Sequence, residues 1–204
     1  MYFSDWISNN YIEIFGAATG VLYVFLEIRQ NIWLWPVGII TSGVYIWIFF
    51  AGKLYADMSL QGYYLVISVL GWYWWMSNRR GRKGEWETGK FIDNERLQVS
   101  RLKLRTGMAL SIVFVLLFSA MWLVLDRLTD SPVPVWDSFI TSLSVIATWM
   151  LARKIYEHWY LWIIVNFTAA VLFFIRGLYP TVVLYIVYCA MSFAGLIEWK
   201  KPLE

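Results

Sequence analysis

Trp159, Trp162 and Asn166 are spaced three and four residues apart, which on a helix gathers them into one stripe. Two flat indole faces then lie in line with a carboxamide one turn further on. A planar ring can stack on indole, and an amide can exchange paired hydrogen bonds with another amide or with a heteroaromatic edge. Gln61 supplies a second carboxamide, one turn before Tyr64. In apolar surroundings such groups are expensive unless they face a cavity or a partner. The same stripe also suits a tryptophan belt with an interhelical hydrogen bond, and spacing alone leaves both readings open.

Bond-making chemistry finds few resources here. One His and one Cys cannot supply the usual ligands of a metal site, so neither a metal nor another cofactor is expected. No Ser/His/Asp set is available within the apolar runs beyond His158, which argues against a membrane hydrolase and against an enzyme generally. A retinal pigment needs a lysine deep in a helix, and every Lys lies outside the apolar runs or at an end. His158, beside Lys154 and Glu157, reads as a solvated boundary residue. Glu13, in the first turn of a helix, suits the helix dipole or a cation site. Asp137 and Ser138 after Pro132 and Pro134 read as a helix start, and Arg176 as a side chain that snorkels outward. Nothing calls for nucleic acid.

The elements that would position the stripe are membrane spans. Asn31 to Gly52 carries no charge over 22 residues, and Met58 to Asn78, Thr106 to Leu125 and Gly177 to Ile197 are similar runs. About 20 apolar residues cross a bilayer core. The chain is 60% hydrophobic and 20% aromatic, a composition of the membrane class with rings for both interfaces. The expected spans are 9–28, 32–51, 59–77, 106–126, 135–153, 159–175 and 180–198, with the first and fifth the weakest. With the N-terminus outside, fourteen Lys and Arg residues fall in the inner segments; Lys53, Arg127 and Arg176 alone fall outside. This positive-inside bias predicts seven crossings, N-out and C-in. The first ten residues carry Asp5 and no Lys or Arg, so no cleavable signal peptide is expected.

The basic segment from Asn78 to Arg105 reads as a topological anchor, with anionic lipid as its other possible partner. Gly81-Arg82-Lys83-Gly84 lacks the spacing of a phosphate loop. Nothing here folds into an ATPase, so transport would be passive, ion-coupled or driven by a separate protein. A shift of 124 residues superimposes Leu54, Tyr55, Tyr64, Ser68, Gly71 and Trp75 on Leu178, Tyr179, Tyr188, Ser192, Gly195 and Trp199; a further gap of three brings Trp35 onto Trp162. The expected architecture is all-α, with seven transmembrane helices in a 3+1+3 parallel-repeat arrangement: a first three-helix repeat over 1–78, a basic loop and linker helix (106–126) over 79–130, and a second three-helix repeat over 131–204. Parallel repeats belong to transporters whose site lies between the halves near mid-membrane. Ser68, Gly71, Ser192 and Gly195 would let helices approach closely.

Leu54-Tyr55-Ala56 with Gln61, Gly71-Trp72-Tyr73 with Trp75, Trp136-Asp137-Ser138, and Glu157-His158-Trp159-Tyr160-Leu161-Trp162 with Asn166 resemble the PnuC family of bacterial vitamin transporters. The resemblance covers nearly the whole chain, and the WxxWxxxN pattern is its most specific part. It implies a fold like a full-length SWEET sugar transporter in the bacterial inner membrane. It also implies facilitated diffusion of a dephosphorylated vitamin, nicotinamide riboside foremost, with a cytoplasmic kinase trapping the cargo by phosphorylation. Trp159, Trp162, Asn166 and Gln61 match the family's binding positions; Tyr64, Tyr188 or Thr41 would then serve the ribose hydroxyls. A homotrimer is compatible with the SWEET likeness. The Trp35-Pro36 opening of the second helix is similar to members proposed to carry thiamine, a flat, hydroxylated cation that would favour aromatic faces and a carboxylate such as Glu13 or Glu27. The further alternative is a seven-helix receptor or scaffold that transports nothing.

Overall fold

The computed structural model describes residues 11–51, 55–80, 98–128 and 132–204. Through them run seven α-helices: α1 (Tyr11–Ile28), α2 (Leu34–Ala51), α3 (Tyr55–Arg80), α4 (Leu104–Leu128), α5 (Pro134–Ala152), α6 (His158–Ile175) and α7 (Tyr179–Lys200), the last followed by a 3₁₀ turn over Lys201–Leu203. Pro134 and Pro180 each stand in a first turn, where a missing N–H costs nothing. Among the described residues there is no strand, only a single bridge between Ser100 and Ile155.

Five helices are long and apolar enough to cross a bilayer: α2, α4, α5, α6 and α7. α1 contributes a shorter apolar stretch, Phe15–Ile28. The expected weak fifth helix passes this test, while α3, expected to be strong, does not. Its end holds Trp72-Tyr73-Trp74-Trp75, then Asn78, Arg79 and Arg80. Tryptophan and tyrosine rank low on hydropathy although they belong at membrane interfaces. α4 has none of its apolar window buried, as a helix bathed in lipid should.

Two helix ends are built alike, 124 residues apart. At the end of α1, Arg29 N–H donates to Phe25 O, Gln30 N–H to Glu27 O and Asn31 N–H to Leu26 O. At the end of α5, Arg153 donates to Trp149 O, Lys154 to Leu151 O and Ile155 to Met150 O. Each set closes a Schellman-type cap around a left-handed residue, Gln30 at φ 49° and Lys154 at φ 52°. The next helices then open on matching bonds: Leu34 to Asn31 O and Trp35 to Ile32 O, His158 to Ile155 O and Trp159 to Tyr156 O. At these two corners the backbone geometry matches with no gap: Trp35 corresponds to Trp159, not to Trp162 as residue identities alone suggest.

The chain divides into two compact units, Met1–Tyr73 and Trp74–Glu204, with the boundary inside α3. In the first, the Trp35 indole is wholly buried against the bare backbone of Gly71, where any Cβ would collide with the ring. Gly38 faces Ser68 and the ring of Tyr23 in the same way. Glu27 is buried at 2% exposure.

The second unit repeats the notch: Trp159 is wholly buried against Gly195. Its core helix is α5, whose Ile146 and Met150 pack with Ile155 against Leu102, Leu110, Phe114 and Leu161. Ser138, Ser144 and Thr148 are buried on α5, and each hydroxyl donates to the carbonyl four residues earlier, satisfying itself within the helix. The α5–α6 corner, Arg153 to Glu157, is gripped from two directions. On one side Trp75 Nε1 donates to Ala152 O at 3.2 Å, Arg153 lies 4.3 Å over Trp74, and Lys154 Nζ lies 4.3 Å over Trp75. On the other, the extended residues before α4 cross it. Ser100 N–H donates to Lys154 O, Tyr156 N–H to Ser100 O, and Leu102 N–H to Glu157 Oε2 at 2.8 Å.

Candidate functional site

The α6 stripe forms as its spacing predicts, on the buried face of the helix. Asn166 is 6% exposed and donates from Nδ2 to Ser192 Oγ on α7 at 3.1 Å; Ser192 in turn donates to Tyr188 O at 2.8 Å. A carboxamide carries two N–H donors and an oxygen with two lone pairs. One donor is used here, which leaves Asn166 able to give and accept at least one further hydrogen bond. Two turns further along the same face, the Phe173 ring lies 5.2 Å from that of Tyr185, whose other neighbour is Tyr188 at 5.8 Å. Small Ala169 lies between these two levels, on the buried face of α6.

The two tryptophans differ. Trp159 is wholly buried, against Gly195 on one side and among the rings of His158 (4.7 Å) and Trp199 (5.8 Å). It offers no open face in this conformation. Trp162 is only half-buried and takes part in no such notch. The indole N–H groups of both are buried without a hydrogen-bond partner among the described residues. A buried donor left in that state costs free energy that a ligand acceptor would return.

His158, expected in solvent, is fully buried. Its Nδ1 lies 2.6 Å from Ile155 O, and its ring sits 4.7 Å from both Trp159 and Trp199. The charged neighbours Lys154 and Glu157 suggest solvent, but the tight corner turns them away while drawing the imidazole inward.

Of the remaining predicted residues, Tyr188 gives Ser192 its backbone carbonyl and sets its ring against Tyr185, and Gln61, Tyr64 and Thr41 lie in the first unit. Gln61 and Tyr64 are half-buried on α3, with the Tyr64 ring edge-on to Tyr63 at 5.5 Å. Thr41 Oγ1 is buried and lacks a hydrogen-bond partner among the described residues. Glu13 and most of the basic segment before Gln98 fall outside the residues whose side chains are described. Sequence spacing presents Ser192 as a small spacer and does not reveal it as the partner of Asn166; nor does it single out Phe173 and Tyr185. The 124-residue shift holds the signal for one of these, since Tyr185 stands where the first unit has Gln61.

The repeat register also sorts the site. Packing positions keep their residue types: Trp35 and Trp159, Ser68 and Ser192, Gly71 and Gly195, Trp75 and Trp199. The stripe positions do not: Trp162 stands where the first unit has Gly38, and Asn166 where it has Ser42.

Comparison with known proteins gives a consistent set of likenesses. The family model described as nicotinamide mononucleotide transporter matches residues 10–201. A nicotinamide riboside transporter, PnuC of Escherichia coli K12, is 29% identical over 203 residues, covering 93% of this chain and 85% of the relative. The riboflavin/roseoflavin transporter RibM of Streptomyces davaonensis is 27% identical over 188 residues, covering 92% and 83%. A crystal structure of a vitamin B3 transporter PnuC superimposes with a TM-score of 0.71 at 22% identity, over 97% of this chain and 84% of that one.

Proposed function

The chain belongs to the PnuC family, the group described as nicotinamide mononucleotide transporters, and from that premise we propose that it carries a dephosphorylated vitamin across the bacterial inner membrane, with nicotinamide riboside as cargo. It acts as a transporter and not as an enzyme. The observation that carries the choice of cargo is Asn166: a buried carboxamide with a donor and an acceptor to spare, in line with Trp162. Those are the groups that a nicotinamide ring and its own amide would meet. The ribose hydroxyls find their partners in Tyr64, Tyr188 and Thr41, and Gln61 adds a second amide. The fold we infer is two like-oriented three-helix repeats joined by α4, with N-out and C-in orientation. Movement is facilitated diffusion, and phosphorylation by a cytoplasmic kinase holds the cargo inside. A trimeric assembly fits this reading.

Thiamine is the second reading, favoured by the Trp35-Pro36 opening. Charge does not separate the two, because the pyridinium of nicotinamide riboside is itself a fixed cation; the amide does. Riboflavin, carried by one relative according to its name, is neutral and larger. Purified protein in liposomes should take up labelled nicotinamide riboside saturably, with thiamine and riboflavin competing at least roughly tenfold less well, as the loss of one paired amide predicts. Saturable uptake of thiamine alone would transfer the assignment; uptake of none would end it in favour of a receptor or scaffold.

A further inference from the structure

We propose that residues 98–103, just before α4, form a latch on the α5–α6 corner that opens in each transport cycle and so sets the position of the inner end of α6. The inference rests on the transport reading above. α6 carries Trp162 and Asn166, and its first residue, His158, comes directly after the corner. Whatever moves the corner moves the stripe.

The two repeated corners show what is peculiar to this one. In the first unit the corner carries a cap of its own: Asn31 Oδ1 accepts from Trp33 N–H at 3.0 Å. In the second unit Ile155 stands at the Asn31 position and cannot cap. A strap from elsewhere in the chain does the work instead. Ser100 inserts between Lys154 and Tyr156 through two backbone bonds of 3.0 and 2.9 Å, Glu157 accepts from Leu102 N–H, Val99 is buried, and Leu102 rests on Ile146, Met150 and Ile155.

The strap is attached lightly. It is a single bridge outside any sheet, and Gln98 and Ser100 are exposed. An isolated backbone pairing with exposed residues in it belongs to the low-stability end of a fold, from which moving parts are drawn. Next to its bridge partner Ile155, Lys154 holds φ 52° without being glycine. Opposite the strap, Trp74 and Trp75 hold Arg153 and Lys154 through ring faces. With Trp75 Nε1 also donating to Ala152 O at 3.2 Å, this side is the fixed point about which the corner would turn.

A reversible lock tests this. Partners across a bridge lie about 4.8 Å apart, within the reach of a disulfide. Ser100→Cys with Ile155→Cys, in a Cys189→Ser background, is oxidised and assayed in liposomes with labelled nicotinamide riboside, or with thiamine if the wild type carries that instead. The expected result is uptake below about a tenth of the reduced protein's rate, with the dissociation constant within about twofold and full recovery on reduction. A locked protein that transports as fast as the reduced one overturns the latch and leaves the function standing. A wild type that carries neither vitamin overturns the function and the latch with it. Hydrogen exchange on the unaltered protein is the second measurement, independent of whether the Ile155 change folds. The Ser100 and Tyr156 amides should exchange roughly tenfold or more faster than those of Val145–Met150 in α5; equal protection would make the strap a fixed brace.

Discussion

At the scale of single residues, the two tryptophans of the WxxWxxxN stripe have different duties although the sequence presents them as a pair. Trp162→Ala should weaken cargo binding by about 1 kcal/mol, the worth of a stacked ring, and leave the melting temperature nearly unchanged. Asn166→Ala should weaken it by about 1–3 kcal/mol, since an amide partner is left unpaired. Trp159→Ala should act through folding, because a large buried side chain leaves a cavity worth about 3–5 kcal/mol. Calorimetric binding and thermal unfolding in the same micelles separate these cases; a Trp159→Ala protein with wild-type melting would contradict them. The stripe was legible because its spacing is local. The notch was not, since it needs Gly195 brought up from 36 residues further along the chain. The burial of His158 was hidden for a related reason: a left-handed residue at Lys154 turns the backbone that leads into α6, and no residue type there announces it.

At the scale of elements, six of the seven spans could be read from apolar runs and turn residues to within a few positions; α3 runs from Tyr55 to Arg80, further at both ends than the expected 59–77. Polar or aromatic residues at an interface continue a helix that hydropathy would end. The repeat was legible in identities yet misregistered by three at Trp35, since tryptophan is too common in this chain for one match to decide; backbone hydrogen bonds decide it. From the common register we expect Gly71→Ala and Gly195→Ala each to lower stability by about 1–3 kcal/mol or more, because a Cβ meets a rigid indole that has nowhere to go. The caps predict the opposite sign: Gln30→Gly relieves a left-handed backbone and should raise the melting temperature by the equivalent of about 1 kcal/mol. Lys154→Gly relieves the same backbone but forfeits the contact with Trp75. Thermal scans of the four variants check both signs.

At the scale of the whole molecule, orientation and energetics are matters for direct test. Fourteen basic residues against three predict a C-terminus in the cytoplasm; a C-terminal reporter that works only there should be active, and activity of one that works only outside would reverse the assignment. A passive carrier brings its cargo to equal concentration on both sides of a sealed liposome and no further. Entrapping the kinase with ATP should raise total label well above that level, and accumulation without it would require a coupling ion. The paired units also supply an experimental instrument. The paired packing positions, such as Trp35 and Trp159 or Gly71 and Gly195, stand 124 residues apart and keep their residue types. Substituting both members of a pair in separate proteins makes each the control for the other: equal damage marks shared scaffolding, and damage on one side alone marks a place where the halves were put to different use.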